Sequence, residues 1–169
     1  FKRDLRCEDH AALVEAAKLG PIRCIYVLEP TLWMQPDVAL QHFEFIRESL
    51  QDLEIQLRLR GGAVEIHVGE VTEVLTKIWQ ASPFAGLHSH QETGNKFTYS
   101  RDREVNKWCQ SHSIHWAEYA QFGVTRGLKN RNEWQASWQK HMEAPLCELG
   151  QIQFWDASVT SRQTPNSSA

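Results

Sequence analysis

The sequence predicts an α/β protein: a Rossmann-like three-layer sandwich around a five-stranded, mostly parallel sheet whose first strand is truncated. Three observations carry that expectation. Short apolar runs alternate with amphipathic stretches, and strands separated by helices form parallel sheets. At 169 residues the chain suits one domain with a sizeable core plus some tail. Finally, the chain opens "FKRDLRCEDHAAL", a loop that runs at once into a helix. A doubly wound domain feeds that helix from a strand, of which only Phe1 remains here. Residues preceding Phe1 are therefore expected.

The elements follow in order. "AALVEAAKLG" sets Leu13, Ala16 and Ala17 on one face and stops at Gly20-Pro21, a short helix with a glycine end. "IRCIYVLEP" is apolar, β-branched and closed by proline, as a buried strand is. From Asp37, with Pro36 just before it, Ala39, Phe43, Ile46, Leu50, Leu53 and Leu57 step by threes and fours. They define a long amphipathic helix that ends at Gly61-Gly62. "AVEIHV" is the next strand. Val71, Val74, Leu75, Ile78 and Trp79 give another helical face. "FAGLHSH" is a short strand despite its glycine, and a polar helix from Tyr99 to His112 turns Val105, Trp108 and Cys109 inward. "SIHWAEY" is the last strand. "AQFGVTRGL" is irregular, a final helix runs near Asn132 to Glu143, and "SVTSRQTPNSSA" is a small, polar, floppy end.

Composition narrows the function. A net charge of −3, with 41% hydrophobic and 23% charged residues, is ordinary for a soluble globular protein and gives no basic face to grip a phosphate backbone. No apolar run approaches the roughly 20 residues of a membrane span, and no signal peptide is visible. The four scattered cysteines lack C-x-x-C spacing and read as reduced thiols of a cytoplasmic protein. There is no G-x-G-x-x-G, P-loop or G-x-S-x-G signature. His88 and His90 share one strand face. A metal there needs a third ligand, and only Glu92 or a distant histidine is on offer, so no metal site is assigned. Trp79, Trp108 and Trp116 fall on apolar faces and read as core. Trp134 and Trp138 form a stripe on the last helix, which suits an interface.

Ligands of open parallel sheets bind beyond the carboxyl ends of the strands. That rule selects "KRDLR", "EPTLW", Gly69-Glu70 and "HQETGN". The residues of these segments match a known pattern. "FKRDLR-CEDHAALVEAA", "YVLEP" and "ETGNKFTYSRDREVNKWC" resemble, in order and spacing, the opening, second-strand and fourth-strand segments of the photolyase/cryptochrome family. "VTRGLKNRNEWQASWQKHM" resembles the linker of one bacterial branch, so the resemblance spans about residues 1 to 145.

The resemblance implies an N-terminal antenna domain over residues 1–125, followed over 126–169 by a linker helix and polar tail. In family members a larger helical C-terminal domain binds FAD and reaches damaged DNA. It is the partner this domain would serve, and no membrane enters the picture. The implied cofactor is a light-harvesting pigment of deazaflavin, flavin or folate type. No residue of this chain is assigned a catalytic role.

The candidate pigment residues are Lys2, Arg3, Asp4, Arg6, Glu29, Trp33, Glu92, Thr93, Gly94, Asn95 and Arg101. Lys2, Arg3 and Arg6 sit where an anionic tail could meet the first loop, or Asp4 and Arg6 pair and pin that loop. Glu29 could accept from ring or ribitol donors. Trp33 either stacks on a ring or covers a helix end. Gly94-Asn95 suits a positive-φ turn that frees N–H groups for a ligand. Arg101 and Asp102 suit a salt bridge to the first loop. In folate-type members an acidic or amide pair precedes this Arg-Asp, where Phe97-Thr98 stand here. That departure points to a flavin-like pigment or an empty pocket. Two other readings remain: a blue-light receptor of the same architecture, and a stand-alone nucleotide-binding module.

Overall fold

The computed structural model describes residues 1–156, so the polar end from Ser158 lies outside the described residues. The elements run α1 (Ala11–Ala17), β1 (Cys24–Leu28), α2 (Pro30–Trp33), α3 (Leu40–Arg58), β2 (Val64–Val68) and α4 (Val71–Ala81). Then come β3 (Gly86–His90), α5 (Lys96–Ser111), β4 (His115–Tyr119), a 3-10 turn at Arg131–Glu133 and α6 (Trp134–Met142).

Two boundaries differ from the sequence expectation. The helix expected from Asp37 starts at Leu40, and a separate one-turn helix, α2, precedes it. Pro30 opens α2, where its fixed φ and missing N–H cost nothing. Pro36 disfavours helical backbone at the residue before it, so α2 and α3 stay apart. The helix expected from Tyr99 begins three residues earlier, at Lys96, because the Asn95 side chain accepts from the Thr98 N–H at 3.1 Å and caps it. At the other end of α3, Gly61 takes φ +85° and the Gly62 N–H donates to the Leu57 carbonyl at 2.9 Å.

The strands form two parallel pairs. β1 lies beside β2 with Cys24 opposite Val64, and β3 beside β4 with Gly86 opposite His115. The single five-stranded sheet expected from the sequence is therefore not what the described residues form. β1 and β3 do not bond to each other, and a cavity of about 1140 Å³ lies between them.

Helices cover both faces. Cys24 and Tyr26 of β1 point to one side, where they pack with Leu13 of α1 and with Leu50, Leu53 and Leu57 of α3. Ile25 points to the other side, towards Leu75 of α4 and Val105 and Cys109 of α5. The alternation of β1 thus serves two cores at once. Trp79, Trp108 and Trp116 pack against the second core, with the Trp108 and Trp116 indole N–H groups donated to Thr76 and Ser89. Trp134 and Trp138 stack on each other with centroids 6.1 Å apart and remain 45% and 41% exposed.

Candidate functional site at the strand tips

The strand ends converge on one guanidinium. Glu29 directly follows β1, and Glu92 lies two residues past β3. Arg101, one turn and a half into α5, donates to Glu29 at 2.7 Å and to Glu92 at 3.3 Å. The same guanidinium bonds its neighbour Asp102 at 3.0 Å. Since Arg101 reaches the residues after both strands, β1 and β3 point the same way and their carboxyl ends share one rim. Burial would lower the Arg101 pKa, but Glu29 and Asp102 outweigh it and hold the group above its ordinary value. Burial pushes Glu29 up, opposed by Arg101.

A second tier of charge closes around this pair. Lys2 reaches Asp102 at 3.2 Å and Glu118 at 3.9 Å. Arg126 bonds Glu118 at 3.2 Å, Asp102 at 3.4 Å and the Glu92 carbonyl at 2.8 Å. Arg3 lies 3.3 Å from Glu92 with its side chain 55% exposed. Lys2, Arg3, Arg101 and Arg126 thus face Glu29, Glu92, Asp102 and Glu118, four cations against four carboxylates. The rim is charge-balanced, and of its cations Arg3 is the one that stands out into solvent.

Asp4 belongs to a different, buried cluster below the rim. Its Oδ2 lies 2.6 Å from His90 Nδ1 and 2.9 Å from His10 Nε2, and its Oδ1 accepts the Lys2 backbone N–H at 2.6 Å. His10 Nδ1 accepts the Leu13 N–H and caps α1, which leaves the proton on Nε2 facing Asp4. Burial would raise Asp4, but bonds from both imidazoles hold its carboxyl far below the ordinary range. Burial lowers His10. One ligand atom from each of these three residues lies within 4.8 Å of the others. The 2.6 Å separation is a hydrogen bond and the 2.9 Å one an ion-pair contact, both closer than the roughly 3.3 Å between two atoms that ligate one zinc at 2.0–2.1 Å tetrahedrally.

The predicted site residues therefore divide. Glu29, Trp33, Glu92, Arg101, Asn95 and Arg3 meet around the mouth of the cavity. Asp4 and Arg6 do not pair: both line the cavity, but Arg6 bonds the carbonyls of Glu8 and Asp9 at 3.0 Å each. Lys2 faces Asp102 as well as the loop. It is this residue, not Arg101, that ties the Arg-Asp pair to the first loop. Trp33 meets Phe43 edge-on, its centroid 5.2 Å away, and so covers the start of α3. The positive-φ turn expected at Gly94-Asn95 does not form, since neither residue has a positive φ. Gly94 matters for space instead. A Cβ there would collide with the Arg3 guanidinium and lie 2.7 Å from Thr98 Oγ1. Asn95 spends its carbonyl oxygen on the α5 cap and donates to Asp37 at 2.8 Å. Thr93 donates its N–H to its neighbour Glu92.

Sequence reasoning missed Arg126 and Glu118. Arg126 lies in the segment read as linker, and no local spacing links it to Glu92. Glu70 follows β2 and accepts from the Thr31 hydroxyl at 2.6 Å, fixing the start of α2. It was in the strand-end set but had no role assigned.

Two buried polar atoms near the mouth have no hydrogen-bond partner among the described residues: Glu29 Oε1 and Trp33 Nε1. Both residues line the cavity. Inward from them the walls turn apolar, with Leu13, Ile25, Tyr26, Leu75, Leu87 and Val105.

A mixed α/β domain with a charged rim where parallel strands end is the class that fold and site define. Comparison with known proteins gives the family. The family model described as DNA photolyase matches residues 1–122, and the chain belongs to that family. A chicken (Gallus gallus) cryptochrome-2 is 31% identical over 81 residues, 47% of this chain and 14% of that protein. The archaeal photolyase of Sulfolobus tokodaii, whose structure was described as holding two FAD molecules and implying a novel light-harvesting cofactor, superposes with a TM-score of 0.75 at 20% identity. That match covers 94% of this chain and 38% of the other. A bacterial class III photolyase from Agrobacterium tumefaciens gives 0.76 at 15% identity, covering 93% and 34%. The chain thus spans well under half the length of the relatives it matches.

Proposed function

We propose that this domain is the light-harvesting part of a photolyase- or cryptochrome-type flavoprotein. It holds a pigment at its strand tips and passes excitation energy by dipole coupling to an FAD bound by another domain of the same polypeptide. This domain performs no bond chemistry, and damaged DNA is met only through the FAD domain. The observation that supports this most is the open cavity whose mouth is ringed by Glu29, Glu92, Arg101 and Arg3, at the pole where parallel sheets take ligands. Family membership and the cofactor named for the archaeal photolyase agree with it.

The inner, apolar length of the cavity has a different occupant. It separates two parallel strand edges with unpaired backbone groups, which are costly to leave unbonded. The Phe1 backbone nitrogen already donates to the Ile25 carbonyl at 2.9 Å, where a ladder between them would begin. We infer that a fifth parallel strand lies between β1 and β3, continues into Phe1 and completes the sheet. The pigment then keeps the mouth.

The curated match to a cryptochrome favours a second reading, a light receptor that signals with the same pigment site. Among the described residues no helix is long and apolar enough to cross a membrane, and free cysteines suit the cytoplasm.

An absorbance spectrum of the intact, gently purified protein tests the antenna reading. A near-UV or blue band beyond that of FAD is expected, and it should disappear when Arg3→Ala and Glu92→Ala are combined. A band that survives in the double variant removes the assignment to this rim. An intact protein without such a band removes the antenna role.

A further inference from the structure

β2 forms one border of its sheet: β1 pairs with it on one side, and among the described residues no strand lies along the other. The Gly69 N–H donates to the Leu28 carbonyl at 3.1 Å. Alternation along a parallel ladder therefore turns the backbone groups of Glu65 and His67 to β1, and those of Val64, Ile66 and Val68 to the open border. Glu54 takes the Val64 N–H at 2.8 Å. Nothing in the strand guards the rest: Val64 to Val68 includes no lysine, arginine, proline or glycine, the residues that blunt an edge. Tyr26 lies opposite Ile66 and Leu28 opposite Val68, so both side chains share the face of the first core, yet they stay 55% and 66% exposed. Glu65 and His67 point to the other face. Arg23 donates to Glu65 at 2.8 Å, and His67 Nε2 lies 3.4 Å from the same carboxylate.

The order of residues in this strand is its own complement. Val-Glu-Ile-His-Val, set antiparallel to a second copy about an axis at Ile66, places Ile66 opposite Ile66, Val64 opposite Val68 and Glu65 opposite His67. Apolar side chains then meet on one face, and a carboxylate meets an imidazole twice on the other. The backbone agrees with that register. Ile66 turns its N–H and C=O outward, so the central pair exchanges two bonds, and the Val68 N–H of each copy faces the Val64 carbonyl of the other. A parallel copy in the same alignment would instead set Glu65 against Glu65. We propose that β2 is a homodimer edge, at which two copies of this polypeptide join border to border through an antiparallel Val64–Val68 ladder.

Sedimentation equilibrium of the intact polypeptide, with any bound cofactor left in place, tests this. The mass should double as concentration rises. Ile66→Lys and Ile66→Glu each set like charges face to face on the axis, and each should weaken self-association at least about 10-fold. Both changes fall on an exposed side chain, so the fold tolerates them, and an unchanged thermal melt checks that. Mixed in equal amounts, the two variants should restore dimers made of one copy of each, because a lysine then faces a glutamate. An axis elsewhere, or a role of Ile66 confined to one copy, gives no such rescue. A wild type that stays monomeric at every concentration overturns the proposal, as does a dimer that both variants leave intact, or a mixture no tighter than its parts. If that monomer also protects the Ile66 and Val68 amides from exchange, another segment of the same polypeptide holds the edge in place of a second copy.

Discussion

Asp4 is gripped by two imidazoles and a backbone N–H, with 1% of its surface exposed. The consequences are electrostatic and can be measured. His10 is pushed below its ordinary 6.5 by burial. In a window below pH 6.5 the unfolded chain therefore takes up a proton that the native state refuses. The stability contributed by neutral His10 is complete above 6.5 and is lost as pH falls through the lower folded value. Asp4 acts in the same sense further down: its contribution is complete above 3.8 and survives until well below it. Urea unfolding at pH 7.5 and 5.5 should show wild type losing stability on acidification, and His10→Asn losing less. Asparagine can still cap α1, so the comparison isolates the titration. Asp4→Asn should cost about 3 kcal/mol at neutral pH, because it breaks a buried charged cluster. None of this was legible in the sequence. Asp4 to His90 is a contact across 86 residues, and the local reading paired Asp4 with Arg6 instead. What was legible is that His88 and His90 share a face. His90 meets α1 through Asp4, and His88 bonds the Tyr119 hydroxyl at 3.0 Å.

At the scale of elements, helix periodicity located α3, α4 and α5, and a side-chain cap fixes where α5 begins. The sequence reading began α3 at Asp37, just past Pro36, and assigned no helix to Pro30–Trp33, because four residues carry no helical apolar stripe. It began α5 at Tyr99 because the polar residues before it carry no apolar stripe, although Asn95 caps that turn. Asn95→Ala should cost about 1 kcal/mol in urea unfolding, the usual worth of an N-cap. Gly94 sits just ahead of the cap and tests the rim without touching the core. Its methyl would displace the half-exposed Arg3 and press on Thr98. Gly94→Ala should weaken pigment retention in the intact protein more than it lowers Tm, as dialysis and thermal melting can compare. Equal retention would show that Arg3 is free to move aside.

For the whole molecule, the four strands were readable because each is a local pattern, whereas their pairing is set by contacts distant in sequence. The two parallel pairs leave alternate groups of β1 and β3 facing the gap. Leu28 bonds towards β2, so Ile25 and Val27 turn to the inner edge. Ala85 bonds towards β4, so His88 turns inward from the other side. In the intact polypeptide, amides of Ile25, Val27 and His88 should exchange as slowly as their β2- and β4-facing neighbours. Rapid exchange there would refute the fifth strand. The far pole of the strands holds another feature. Ile22 bridges Phe154, whose ring occupies the space a Cβ on Gly62 would need, and Leu149 and Ile152 lie against the first core. The stretch that matches the family ends at residue 122. A gene trimmed there would discard the greasy underside that keeps Leu53 and Leu57 dry, so a shortened version for spectroscopy should retain everything through Asp156.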